Sequence, residues 1–161
     1  MTDTLLERLE ASRLTFEVID YAYDVDRTTD IGLHAASSLG QSQDSVAKTL
    51  VAEIDKKTPV CLVLPVHRKL DMERVAQLGA GRKARLINAE KLTKMTGFLP
   101  GGTSPLGLFD RMPVIIDKAL QPLATVHVNG GQRGRVVKIA PADLQAFTGA
   151  SFADITLAEP D

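Results

Sequence analysis

Pro59-Val-Cys-Leu-Val-Leu-Pro-Val66 is an eight-residue run with no charged side chain and no polar alternation. A strand that meets water on one side alternates apolar and polar residues, so an unbroken apolar run reads as a strand buried on both faces. Such a strand needs a covering layer above and below it, which points to helices packed on a sheet. Just before it, across the Asp55-Lys56-Lys57 turn, Thr49-Leu-Val-Ala-Glu-Ile54 reads as a neighbouring segment of the same kind, led in by residues from Ser45 onward.

On either side of this run, helices and short strands alternate without repeats, low-complexity tracts or linkers. Residues 3–12 predict a helix with Leu5, Leu6 and Leu9 on one side, and residues 14–21 a strand. Residues 31–39 predict a short helix ended by Gly40. Asp71 caps a helix to Leu78 that Gly79 and Gly81 end, and Asn88 caps another to about Met95 that Gly97 stops. Residues 85–87, 114–117, 125–128 and 135–139 predict strands. Pro141 sits where proline opens a helix, and Phe152 to Ile155 closes the packing. The fold class is α/β (α+β): a single domain over residues 1–161, built on a mixed, curled, barrel-like β-sheet surrounded by helices.

Composition narrows the function classes. The chain has 161 residues, 44% hydrophobic and 24% charged, as in an ordinary globular protein. No apolar run approaches the roughly 20 residues needed to span a bilayer, and acidic residues at 3, 7 and 10 exclude a secretory leader. With one cysteine, Cys61, no disulfide can form within the chain, and a reducing, cytoplasmic location is expected. The net charge of −1 conceals an asymmetry: residues 1–65 carry −5, residues 66–138 carry +8 and residues 139–161 carry −4. A basic middle segment points to a polyanionic partner or, equally, to several solvated faces.

Three stretches carry candidate chemistry. Lys48 stands at the mouth of an apolar strand, where an ammonium can hold a phosphate or merely blunt a sheet edge. Gly97-Phe-Leu-Pro-Gly-Gly-Thr-Ser-Pro-Leu-Gly107 holds four glycines and two prolines, permissive and stiff at once. Its backbone N–H groups and the hydroxyls of Thr103 and Ser104 can hold a carbonyl oxygen or orient a water. It lacks the order of a phosphate-binding P-loop. Asn129-Gly-Gly-Gln-Arg-Gly134 is a hairpin signal that also sets Arg133 between glycines. Tyr21 and Tyr23 can wall a small pocket. His34, His67 and His127 do not share metal-ligand spacing, Cys61 reads as structural, and the aspartates between Asp20 and Asp30 read as a solvated loop. Aromatic residues, at 4%, are too few for a base-stacking platform.

Lys48-Thr-Leu-Val51, Leu99-Pro-Gly-Gly-Thr-Ser-Pro-Leu-Gly107, Met112-Pro-Val-Ile-Ile-Asp117 and Gly130-Gly-Gln-Arg-Gly134 together resemble the YbaK/EbsC-type members of the prolyl-tRNA-synthetase-associated editing superfamily, over almost the whole chain. The resemblance implies a mixed α/β fold and hydrolysis of mischarged aminoacyl-tRNA in trans, with Cys-tRNA(Pro) the first candidate. It implies that Lys48, with Thr49 beside it, engages the phosphate at the 3′ adenosine. Gly101, Gly102, Thr103, Ser104 and Pro105 would frame the ester. Tyr21 and Ile31 would line the aminoacyl pocket, with Asn129, Gly130, Gly131, Arg133 and Gly134 as its far wall. It implies the aminoacylated 3′ end of tRNA as partner, with prolyl-tRNA synthetase a candidate second partner. It implies no cofactor, no metal, no membrane and no DNA.

An aminoacyl ester is already activated, so positioning and backbone oxyanion donors can suffice. In the cysteine-specific members the substrate thiol is thought to attack the ester, which would agree with the absence of a Ser-His-Asp set here. The chain departs from those members at three places. Asn129 replaces a serine, Val136 an acidic residue, and Ile31 stands where an aromatic is usual. Ser-, Thr- or Ala-charged tRNA therefore stay open as substrates. So do a non-catalytic tRNA- or nucleotide-binding module of the same fold and a protein-binding regulator.

Overall fold

In the computed structural model, which describes residues 4–21, 44–99 and 102–157, the apolar run forms β3 (Thr58–Pro65). It lies at the centre of a five-stranded sheet, antiparallel to β2 (Ala47–Ile54) and parallel to β5 (Val114–Asp117). The outer strands of that sheet are β4 (Ala84–Leu86), beside β2, and β8 (Ser151–Ala153), beside β5. Every residue from Val60 to Val66 is buried. Cys61 and Val63 face the main core with Val51, Val114 and Ile116. Val60, Leu62 and Leu64 face a second cluster formed with Val75 and Ala76 of α2 (Met72–Leu78) and with Ile155. Two cores on two faces explain the missing alternation. Cys61 is fully buried, and burial pushes its thiol pKa far up.

A second sheet has the order β1 (Phe16–Asp20), β7 (Arg135–Ile139), β6 (Val126–Asn129), all antiparallel. Val126, Val128, Val137 and Ile139 put one of its faces on the main core, which α1 (Thr4–Ser12) and α4 (Pro141–Thr148) also cover through Leu9 and Leu144. The two sheets meet at one parallel bridge, Val46 to His127, where the His127 amide donates to the Ser45 carbonyl at 2.8 Å. The mixed, curled sheet is present. It is split at this seam and does not close into a barrel, because β2 leaves β6 after that bridge to pair with β3 and β4.

Local signals placed the helices. The Asp71 carboxylate accepts from the Arg74 amide at 3.1 Å, and the Asn88 side chain from the Lys91 amide at 2.8 Å, capping α2 and α3 (Ala89–Thr96). Gly97 ends α3 with φ of 80°, the left-handed conformation that glycine adopts without strain. The predicted helix at 31–39 lies outside the described residues. No helix among the described residues is long and apolar enough to cross a membrane.

One turn differs from expectation. Asn129 remains in β6, paired with Val136, so the β6–β7 connection is the five residues Gly130 to Gly134 and does not include Asn129. Asn129 Oδ1 accepts from the Gly131 amide at 2.8 Å, so its side chain shapes the loop rather than sitting at a turn apex. The paired left-handed residues of a type I′ turn occur elsewhere, at Asp55 (φ 53°) and Lys56 (φ 60°) between β2 and β3.

Candidate active site

Strand registers put Lys48, Asn129 and Tyr21 on the same face of the sheets. On β7 and β6 the core-facing residues are Val137, Ile139, Val126 and Val128, so Val136, Lys138, His127 and Asn129 take the opposite face. β1 adds Glu17 and Ile19 to that face, with Ile19 against Val136 and Val136 against Asn129. Tyr21 follows in phase, its amide donating to the Gly134 carbonyl at 2.8 Å. On β2, Ala47 and Val51 face the main core. Lys48 is therefore in phase with Val46, and the bridge carries that phase across to His127 and Asn129. Lys48, Asn129, Val136 and Tyr21 share one continuous face across the seam.

Thr49 does not share it. Alternation turns its side chain to the core side, where Oγ1 is buried with no partner among the described residues. The expected role for Thr49 as a substrate ligand does not fit that orientation. Ile31 and Gly101 lie outside the described residues, as does Tyr23.

The glycine-rich loop rests on the β6–β7 turn. Ser104 is fully buried, and its hydroxyl donates to the Asn129 carbonyl at 2.5 Å while accepting from the Leu106 amide at 3.2 Å. Both hydrogen-bonding directions are used, so Ser104 positions the loop and is not free to attack an ester. Pro105 follows at the first position of a 3-10 turn, Pro105–Gly107, fixing the exit. A Cβ on Gly102 would come within 3.3 Å of the Arg133 amide nitrogen and the Leu99 carbonyl oxygen, so glycine permits this backbone-to-backbone approach. The Gly102 amide is spent on the Leu99 carbonyl at 2.8 Å. It is not an oxyanion donor. Thr103 and Ser104 are buried, and their amides have no acceptor among the described residues. Two amide donors in buried residues, with no acceptor among the described residues, suit a developing oxyanion.

On the far wall Gly130, Gly131 and Gly134 let the turn fold tightly, Gly131 and Gly134 with φ of 95° and 81°. Arg133 is exposed at its tip.

Partial burial holds the Lys48 ammonium below the ordinary lysine pKa, and nearby Lys69 pushes it the same way. No carboxylate among the described residues pairs with either lysine. A bound anion would relieve that repulsion.

His127 also lies on this face, although no motif marks it. It is 1% exposed, with Nδ1 3.4 Å from the Ser45 carbonyl oxygen and Nε2 without a partner among the described residues. The signal that would have found it is phase: Val126-His-Val-Asn129 alternates, so His127 shares a face with Asn129. Desolvation lowers its pKa; the Ser45 carbonyl and Glu17 oppose this, and Lys138 adds to it. Below about pH 6.5 the unfolded chain takes up the proton first, so stability should fall as pH drops from there toward the lowered native pKa. Urea unfolding of wild type between pH 7.5 and 5 should show this loss, and His127→Gln should flatten it. A slope unchanged in His127→Gln would assign the acid sensitivity to other groups.

The sequence profile of the aminoacyl-tRNA editing domain matches residues 29–147. The chain belongs to this family. Like the family it is an aminoacyl-tRNA deacylase, with aminoacyl-tRNA as substrate. This editing domain is 27% identical over 154 residues to a protein of Enterococcus faecalis named "Putative Cys-tRNA(Pro)/Cys-tRNA(Cys) deacylase EbsC", covering 96% of the chain and 93% of that relative. Among solved structures, a hypothetical protein superposes with a TM-score of 0.84 at 25% identity, over 95% of this chain and 99% of the other. The fold is also that of a "putative trans-editing enzyme for prolyl tRNA synthetase", with a TM-score of 0.78 at 24% identity over 96% and 98% of the two chains.

Proposed function

We propose that this deacylase acts in trans on Cys-tRNA(Pro), with the substrate thiol rather than a protein side chain attacking the ester. The observation that carries the reading is the Ser104 hydroxyl, engaged at both ends beside two uncommitted amides. The other candidate nucleophile, Cys61, is fully buried in β3 with its thiol pKa raised. Lys48 would hold the phosphate of the terminal adenosine, and Thr103 and Ser104 amides the carbonyl oxygen. The cysteinyl sulfur then bonds to the carbonyl carbon, the carbon–oxygen ester bond breaks, and the thiol proton passes to the departing ribose oxygen. The strained cyclic thioester so formed is opened by water to free cysteine.

The similarity to a protein named as a Cys-tRNA deacylase supports the choice of cysteine. The apolar Val136 beside Asn129 supports it too, since an apolar wall suits a thiol better than a hydroxyl that must stay hydrogen-bonded. Prolyl-tRNA synthetase is proposed as the partner that delivers the mischarged tRNA. The test is a panel of tRNA(Pro) charged with Cys, Ser, Thr, Ala or Pro. Cysteine should leave fastest, and S-methylcysteine, which has no thiol, should leave no faster than by spontaneous hydrolysis. Rapid release of the methylated residue would overturn thiol attack and leave water as the nucleophile. No acceleration on any ester would overturn the enzyme reading.

A further inference from the structure

At the β4 edge, away from the candidate active site, a groove of about 700 Å³ is lined by Lys56, Lys57, Arg82, Lys83, Arg85 and Lys91. Only two carboxylates, Glu53 and Asp55, share the lining, and both are occupied. Glu53 pairs with Lys91, Oε1 to Nζ, at 2.5 Å. Asp55 Oδ1 accepts from the backbone amides of Arg82 at 3.0 Å and Lys83 at 2.9 Å, neutralising no guanidinium. Lys56, Lys57, Arg82, Lys83 and Arg85 form no ion pair with any described residue. We propose that this groove is a second RNA contact, holding acceptor-stem phosphates while the aminoacylated end occupies the editing site.

The groove is built rather than incidental. Asp55 and Lys56 both hold positive φ, 53° and 60°, where a non-glycine residue costs about 1 kcal/mol or more. The clasp between Asp55 and the 82–83 amides, with the Asp55 amide donating to the Lys83 carbonyl at 2.7 Å, keeps that turn in place. Gly81 lies flush on the same hairpin, its missing Cβ leaving room for Ile54 and Asp55. Cations from the β2–β3 turn, the β4 lead-in and α3 are thus fixed side by side. Along β2, Lys48 and Ile54 lie six residues apart, about 20 Å of strand. An acceptor end that reaches Lys48 passes this edge within a few nucleotides. The lining has no aromatic side chain, and aromatic anchors dominate protein–protein hot spots. A row of cations with no such anchor suits phosphates, which are gripped by charge alone.

The identity of the RNA as tRNA rests on the deacylase reading; the groove itself is tested without it. Affinity of uncharged tRNA(Pro) is measured against salt for wild type and for Lys56→Gly/Lys57→Gln/Arg85→Gln. Glycine at 56 suits the left-handed turn, so the variant should fold, and its melting curve checks this. Each lost phosphate contact should flatten the plot of log affinity against log salt by about 0.7 to 0.9, so the slope should drop by about 2 to 3. KM for full-length Cys-tRNA(Pro) should rise about 10-fold or more, while kcat on a cysteinylated CCA trinucleotide stays unchanged. An unchanged slope in a folded variant would overturn the proposal. So would displacement of an acidic peptide, polyglutamate, that depends on the three residues while tRNA binding does not. Groove-dependent tRNA binding without turnover would uphold the groove and sink the deacylase reading. Turnover with groove-independent binding would do the reverse.

Discussion

Lys48→Ala should slow deacylation of Cys-tRNA(Pro) by about 100-fold in kcat/KM, since a charge-assisted contact contributes about 1.5 to 3 kcal/mol. Its melting temperature should hold or rise slightly. Lys48 is partly desolvated and repelled by Lys69, and no carboxylate among the described residues offsets either cost. Loss of function without loss of stability marks a side chain kept for a ligand. Lys48→Arg should recover only part of the rate, because a planar guanidinium does not place its charge where the compact ammonium does. Uncharged tRNA should bind the alanine variant with little change if most affinity comes from other phosphates. Full activity in Lys48→Ala would remove the phosphate anchor from the mechanism.

Ser104→Ala should cost roughly 2 to 4 kcal/mol, because it removes the donor to the Asn129 carbonyl and the acceptor of the buried Leu106 amide together. For a chain of this length that corresponds to a melting temperature lower by about 5 to 15 °C. Deacylation should fall, since the loop is no longer tied to the β6–β7 turn and the Thr103 and Ser104 amides lose their aim. Residual turnover should still be measurable at a temperature where the variant is folded, with no acyl-enzyme trapped from wild type by acid quench. Complete loss of activity with an unchanged melting curve would instead make Ser104 a nucleophile.

Much of this was legible in the residues. The unbroken run at Pro59–Val66 announced a doubly covered strand because burial on both faces leaves no polar phase to read. Asp71, Asn88, Gly97 and Pro141 announced helix ends because capping is local chemistry. The seam was not legible. Which strand β2 abandons and which it adopts depends on the competition of β3, β4 and β6 for its edges, and no local propensity records that. Asn129 was read into the turn for a related reason: Asn-Gly is a local turn signal, but pairing with Val136 keeps Asn129 in the strand. Lys48 was found from its odd placement, and the oppositely directed Thr49 was grouped with it because a motif carries no facing. The β4-edge groove was hidden by arithmetic along the chain. Lys56 and Lys57 belong to the acidic first segment, and only the hairpin brings them beside Arg82, Lys83 and Arg85.

Cys61, sealed in the middle strand, has a bearing on the fate of the released amino acid. A thioester formed next to an accessible protein thiol would be intercepted by acyl exchange, leaving a dead aminoacylated protein. Here the sole thiol is buried out of reach, and burial keeps it protonated. On the proposed route the activated cysteine therefore meets no thiol acceptor on its own catalyst, and acyl exchange onto protein sulfur is avoided by where one strand residue faces.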